Sequence, residues 1–298
     1  MSTFSIQITT KNRLEELEIS LQKLCFLFDN KNIEIVIYDD GSEDNTFEFV
    51  KRKYPNIKLF RNNKSKGLIY CRNFMLNRTT ADYTISLDDD SNFVANDFLE
   101  IIDDFFQKSP KCGVIAARIF WGKELPKSII STETIIRVRG FVGCGHVWNM
   151  KAWKDIPNYP DWFVFYGEEE FASYQLFNND WEIYYLPQLF VHHRVDVRGR
   201  KKDPDYIERT RRSIRAGWYL MFLFYPLQKI PRLFIYSNWM QLKLKVFKGD
   251  VRALKGLLLA KQDLFLNVFK LFKNRKALSI KKYKDYKQLD SAKIYWEE

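Results

Sequence analysis

Four cysteines in 298 residues (Cys25, Cys71, Cys112 and Cys144) lie 46, 41 and 32 residues apart. No CxxC pair and no zinc-type spacing occurs, so neither a disulfide framework nor a structural zinc is expected, and the thiols read as those of a reduced, cytosolic protein. Glycine is also sparse, at twelve residues. Neither GxxxxGK[ST] nor a GxGxxG after the first strand is found, which argues against a P-loop kinase and a classical dinucleotide dehydrogenase. The apolar run Trp218–Tyr225 is eight residues long, against the roughly 20 needed to span a bilayer. The opening MSTFSIQITT lacks the basic and then apolar regions of a secretory leader, so a cytoplasmic location is expected.

What is present is a core and an uneven charge. The chain is 46% hydrophobic and 16% aromatic, enough for one large core or two smaller ones. Its net charge of +11 is confined to one end. Residues 1–200 hold 25 Lys and Arg against 28 Asp and Glu, a balance of −3, and residues 201–298 hold 23 against 9, a balance of +14. Nucleic acid is therefore not expected on the first two thirds, although the tail alone is basic enough to attract it. A basic block interleaved with Trp, Phe and Leu suits an anionic membrane surface at least as well.

The first half alternates strand-like and helix-like stretches: strands at Phe4–Thr9, Ile33–Tyr38, Ile57–Phe60 and Tyr83–Leu87, and helices near 14–28, 45–54 and 68–76. That alternation predicts an α/β fold with an open, mostly parallel sheet covered by helices on both faces. Polar clusters follow each strand in turn: Thr9-Thr10-Lys11-Asn12-Arg13, Asp39-Asp40-Gly41-Ser42, Arg61-Asn62-Asn63 and Asp88-Asp89-Asp90-Ser91. In a parallel sheet these points share one edge, where such folds bind ligands. Two acidic clusters with basic neighbours suit a nucleoside diphosphate held through a divalent cation and side chains rather than a glycine-rich loop.

The ordered series TTKNR, DDGS, NNKSKGLIYCRN, LDDDS, YGEEEFASYQLF and VHHR resembles the family 2 glycosyltransferases of the GT-A fold, over about residues 3–200. That resemblance implies an inverting enzyme that uses a UDP-, dTDP- or GDP-sugar with Mn2+ or Mg2+. It places Thr9 and Asp40 at the nucleotide base, Lys11 and Arg13 nearby, and Arg72 on the diphosphate side. Asp88 and Asp89 would face ribose and phosphate, and Asp88 and Asp90 form the metal-binding element, with Asp90 as direct ligand. Glu169 would be the catalytic base, removing the acceptor hydroxyl proton, with Glu168 positioning the acceptor or its loop. Acidic residues in a first helical turn also serve as plain capping charges.

His192 and His193 end a strand-like segment, and His193 is the resemblance's metal ligand, with His192 as alternative. Edge-strand histidines bonded to backbone are the plainer reading. Gly143 and Gly145, with His146, resemble an acceptor-side segment, although a GxG is equally a tight turn. Among Trp148, Trp153, Tyr159 and Trp162, Trp162 is the candidate for stacking on an acceptor sugar, the others being equally suited to core.

The resemblance divides the chain into a catalytic domain over 1–200, with a nucleotide-sugar half 1–92 and an acceptor half 93–200, and a basic helical extension over 201–298. In that extension Arg209, Arg211, Arg212 and Arg215 fall in helical register, and Leu254, Leu257, Leu258, Leu264, Phe265, Val268, Phe269 and Phe272 form a stripe among lysines. The composition matches an interfacial helix on a membrane or helices packed on the catalytic domain or a partner chain. Family members with such tails build surface polysaccharides on glycan or lipid-linked acceptors at the cytoplasmic leaflet. Two other readings remain at this point: a sugar nucleotidyltransferase, disfavoured because TTKNR has no glycine, and a catalytically silent membrane- or nucleic-acid-binding protein, disfavoured by the intact DDGS, DDD and EEE blocks.

Overall fold

The computed structural model describes residues 2–196 and 204–295. The expected boundary at Arg200/Lys201 lies outside the described residues. One mixed sheet organises the chain, with strands in the order β3-β2-β1-β4-β8-β6-β9-β5. Its first half is parallel: β1 (Phe4–Thr10), β2 (Ile33–Asp39), β3 (Lys58–Arg61) and β4 (Tyr83–Asp88). Between them run α1 (Leu14–Leu24), α2 (Thr46–Lys53) and α3 (Leu68–Leu76). Ile6, Ile8, Ile35, Ile37, Ile85 and Leu87 form one buried face with Leu17, Leu21 and Leu24 of α1 and with Phe98, Ile102 and Phe106 of α4 (Phe98–Lys108). Alternate residues Val36 and Tyr38 meet Cys71 and Met75 of α3 on the other face. This two-sided burial makes these strands nearly continuous apolar runs.

The second half departs from the parallel plan. β8 (Gly145–Asn149) runs antiparallel to both β4 and β6 (Cys112–Trp121). The long β9 (Glu182–His193) lies parallel to β6 and antiparallel to β5 (Ser91–Phe93) and β7 (Ile136–Val138). Near the end of the chain β10 (Ile294–Tyr295) returns to pair with β6. Over this half lie α5 (Met150–Lys154) and α6 (Glu168–Asn178).

The extension is helical: α7 (Tyr206–Phe224), α8 (Ile230–Leu244), α9 (Val251–Leu266), α10 (Val268–Lys273) and α11 (Ile280–Gln288). The arginines and the eight-residue apolar run belong to one helix, α7, which ends just before Pro226 as proline requires. One aromatic core joins Trp148, Phe163, Phe171 and Tyr174 to Tyr219, Phe224, Leu271 and Tyr286. Arg211 and Arg215 of α7 both reach Asp263 of α9, at 2.6 and 3.2 Å, and Arg215 donates to the carbonyl of Phe163. The first helix of the extension thus shares a core with the acceptor half. No helix among the described residues is long and apolar enough to cross a membrane.

Candidate active site

Strand register puts the four polar clusters at one level. Thr10 lies beside Asp39, Asp39 beside Arg61, and Thr9 beside Asp88. Side chains then lace the clusters together. Asn12 N–H donates to Ser42 Oγ at 2.9 Å, and Arg61 donates to the Ser42 carbonyl at 2.8 Å. Thr10 Oγ1 donates to Asp89 Oδ2 at 2.8 Å. Lys11 is exposed at this edge, and Thr9 Oγ1 is buried without a partner.

Asp40, expected at the nucleotide base, has both carboxylate oxygens engaged within the protein. Its two oxygens accept from Asn62 Nδ2 (2.7 Å), Ser65 Oγ (2.6 Å), Lys66 N (2.8 Å) and Gly67 N (2.9 Å). Burial alone would raise its pKa, but these four donors hold it below the ordinary aspartate value. Asp40 therefore fixes the NNKSKG loop. Gly67 ends that loop at φ +96°, a conformation that favours glycine, and opens α3.

The three aspartates after β4 have separate partners. Asp88 is part-exposed, with Oδ1 2.9 Å from Arg72 NH2 and Oδ2 3.9 Å from His193 Nε2. Asp89 and Asp90 are buried and share Arg13, whose Nε is 3.0 Å from Asp89 and whose NH2 reaches Asp90. Burial pushes Asp89 up to about 7, with Asp90 and Asp88 adding repulsion against the pull of Arg13 and Thr10. Asp90 shifts the other way. Burial opposes its charge, but the bond from His193 Nε2 (2.9 Å), then Arg13 and Arg194, hold its pKa below the usual value. His193 is thus the histidine at the acidic cluster, whereas His192 bonds the Gly122 carbonyl through Nε2 at 2.8 Å.

Arg72 links this cluster to the EEE block. Its buried guanidinium reaches Asp88, Glu168 Oε1 (3.0 Å), Glu169 Oε1 (3.3 Å) and the Gly143 carbonyl (3.0 Å). The block is aimed here by an irregular turn. Val164 and Tyr166 stand at φ +68° and +70°, and Gly167 at +91° caps α6. A β-branched residue at positive φ is strained, and such strain concentrates at functional sites. Glu168 is buried; Glu169 keeps an exposed edge. Burial, then Glu168, raises the Glu169 pKa well above the ordinary glutamate value despite Arg72.

Gly143 is required by close approach. A Cβ there would lie 2.1 Å from Glu169 Oε1 and about 3 Å from Arg72. Gly143→Ala is accordingly expected to displace the Glu169 carboxylate. Misplacing a catalytic base by an ångström costs about 10²-fold in rate, so with Glu169 in the role proposed below kcat should fall on that order; a variant with wild-type kcat contradicts that role.

Of the other acceptor-side candidates, Gly145 and His146 are buried in the sheet. His146 has no exposed surface: the β4–β8 register sets it opposite Ser86, and it packs on Phe141 with ring centroids 4.6 Å apart. Burial, then the charge of Arg72, depresses its pKa to about 3, so it stays neutral. Gly145 faces Val191, whose side chain would sit 3.0 Å from an added Cβ, so this glycine serves strand packing. Trp162 is half-buried against Phe163 and Tyr219, with Lys270 Nζ 6.0 Å from its ring. Trp148, Trp153 and Tyr159 are core.

Arg194 was not singled out by sequence reasoning. Its backbone N–H donates to the Asp90 carbonyl, and its guanidinium to Glu16, Asn92 and Ser20. It fixes the backbone at Asp90, and the only hint in sequence was its place at the end of VHHR.

The donor set fits a divalent cation. Asp88, Cys144 and His193 offer ligand atoms within 4.8 Å of one another, and Asp90 adds a carboxylate at His193. Carboxylate oxygen and imidazole nitrogen are ligands suited to Mn2+ or Mg2+. Five carboxyl groups (Asp88, Asp89, Asp90, Glu168 and Glu169) lie around two guanidiniums, Arg13 and Arg72.

A mixed sheet with this acidic edge defines a GT-A-type glycosyltransferase. The chain belongs to glycosyl transferase family 2, whose description matches residues 5–167. It is 37% identical over 79 residues to an uncharacterized glycosyltransferase of Haemophilus influenzae, a match covering 26% of this chain and 31% of that relative. The chain thus aligns with about a third of the curated relative's length. Among solved structures it resembles GalNAc-T7 with UDP, GalNAc and Mn2+ (TM-score 0.60, 16% identity, covering 77% of this chain and 49% of that one). It also resembles the mannosyltransferase PcManGT of Pyrobaculum calidifontis with GDP-Man and Mn2+ (0.56, 14%, 96% and 79%), and S. aureus TarS 1–349 (0.55, 17%, 74% and 64%). At these identities the likeness is one of fold.

Proposed function

We propose that the protein is an inverting glycosyltransferase that moves a sugar from a nucleoside-diphosphate sugar to a glycan or lipid-linked saccharide in surface polysaccharide synthesis, at the cytoplasmic face of a membrane. The observation that carries the reading is the placement of Arg72 between Asp88 on the donor side and Glu168 and Glu169 on the acceptor side. The donor would lie along the β3-β2-β1-β4 edge, its base toward Thr9 and the loop that Asp40 organises. Its diphosphate would lie toward Arg13, Arg72 and Asp88. Asp90, Asp88 and His193 would hold Mn2+ or Mg2+, which neutralises the leaving diphosphate. The region 201–298 would act as an accessory extension to the catalytic domain.

Glu169 takes the proton of the acceptor hydroxyl as that oxygen bonds the anomeric carbon. The bond from that carbon to the diphosphate breaks on the opposite face, and the electron pair leaves with the diphosphate. One base suffices because the leaving group needs no proton. Glu168, held by Arg72 and buried, positions its neighbour.

The raised pKa of Glu169 gives a pH prediction. A base must be unprotonated, so activity rises as pH passes upward through its pKa in the folded enzyme. The acidic limb of kcat/KM should lie above the ordinary glutamate range and vanish as a feature in Glu169→Gln. A limb at the ordinary value contradicts the assignment. The sugar-transfer reading is tested by incubating the protein with a panel of nucleoside-diphosphate sugars and lipid-linked or free glycan acceptors, and following release of nucleoside diphosphate.

A further inference from the structure

The outer side of the last helices carries a continuous apolar row. Val251, Leu258 and Phe265 recur at seven-residue spacing in α9, two turns of helix apart and so on nearly one side, and α10, which follows after Asn267, leaves Phe269 and Phe272 exposed. Phe265 and Phe269 are 79% and 84% exposed. The opposite side of α9, with Ala253, Gly256, Leu257 and Ala260, is buried, and Gly256 lies against Thr210 of α7. The row therefore faces away from the protein. Trp239 of α8 and Phe247, 6.0 Å apart by ring centroids, are exposed as well. Monomeric proteins rarely leave so large an apolar patch uncovered.

The charge around the row selects its occupant. Residues 226–284 hold fifteen Lys and Arg and two acidic residues, Asp250 and Asp263. Both acids are engaged elsewhere: Asp250 bonds Tyr206 and caps α9, and Asp263 is bridged by Arg211 and Arg215. Lys255, Lys261 and Lys273 are exposed along the same helices. A second copy would bring like charge against like charge, and nucleic acid offers nothing to cover the phenylalanines. An anionic bilayer accepts both features, apolar side chains below the headgroups and lysines among them.

We propose that the outer face of α9 and α10, with Trp239 and Phe247, docks on an anionic membrane surface. Lys270 of α10 turns instead toward the protein, over the ring of Trp162.

The test is co-sedimentation of the whole chain with phosphatidylcholine vesicles, with and without phosphatidylglycerol, across a salt series. The protein should bind the anionic vesicles in a salt-sensitive way and the neutral ones weakly. Phe265→Ser, Phe269→Ser and Phe272→Ser together, all exposed and outside the site, should lower partitioning at least about a hundredfold with melting temperature and donor binding in solution unchanged. Lack of vesicle binding at low salt, equal binding by the triple variant, or a dimer that the triple variant abolishes without any vesicle binding overturns the proposal. Calorimetry of donor binding without vesicles reads the transferase separately, so either can fail alone.

Discussion

Glu169→Gln is expected to lower kcat by roughly 10²–10⁴-fold, the range that a positioned general base contributes, with donor affinity unchanged. The amide has the shape of the carboxylate, so the contact with Arg72 and the fit over Gly143 survive. What is lost is the ability to accept a proton. Glu168 offers no substitute, because it is buried and its Oε1 is paired with Arg72. The arginine itself is a poorer target. Removing one partner of a buried ion pair costs about 3–5 kcal/mol, so an Arg72 variant would mix folding with function. Kinetics of Glu169→Gln alongside its thermal melt settle the matter: full activity places the base elsewhere.

Asp90→Ala is expected to produce the complementary loss. Residues around a metal's ligands typically account for about 10–100-fold in affinity, so a direct ligand should account for at least about a hundredfold in metal-dependent binding of nucleoside diphosphate. Binding measured with chelator should be equal in variant and wild type. The fold should tolerate the change, since Arg13 keeps Asp89 and the Asp90 backbone carbonyl still accepts from Arg194. Affinity that matches wild type with and without chelator contradicts the assignment of Asp90. The two variants together separate the metal and donor side from proton transfer.

Legibility from sequence followed locality. The parallel half was readable because each strand is a short apolar run ended by a polar cluster, and α3 falls at the expected residues 68–76. The antiparallel entry of β8 was not, since nothing in Gly145–Asn149 shows which neighbour it joins. That register sends His146 into the core and sets Gly145 against Val191. The return of β10 to β6 joins Ile294 to Ile119 and has no local signal at all. Asp40 shows a subtler limit. The DDGS pattern locates the residue, but only the folded NNKSKG loop reveals that its oxygens are occupied. Arg194 was overlooked because its partners Glu16, Ser20 and Asn92 lie far away in the chain.

The central claim is a metal-assisted donor site at the Asp88-Asp89-Asp90 edge, joined through Arg72 to a separate base. Its most direct test is calorimetric titration of the whole chain with UDP-, dTDP- and GDP-sugars in the presence of Mn2+, Mg2+ or chelator. The account predicts that one of these donors binds with either metal, that chelator abolishes binding, and that Asp90→Ala but not Glu169→Gln reproduces the chelator result. Binding of none of them with either metal, or equal binding with chelator, contradicts it.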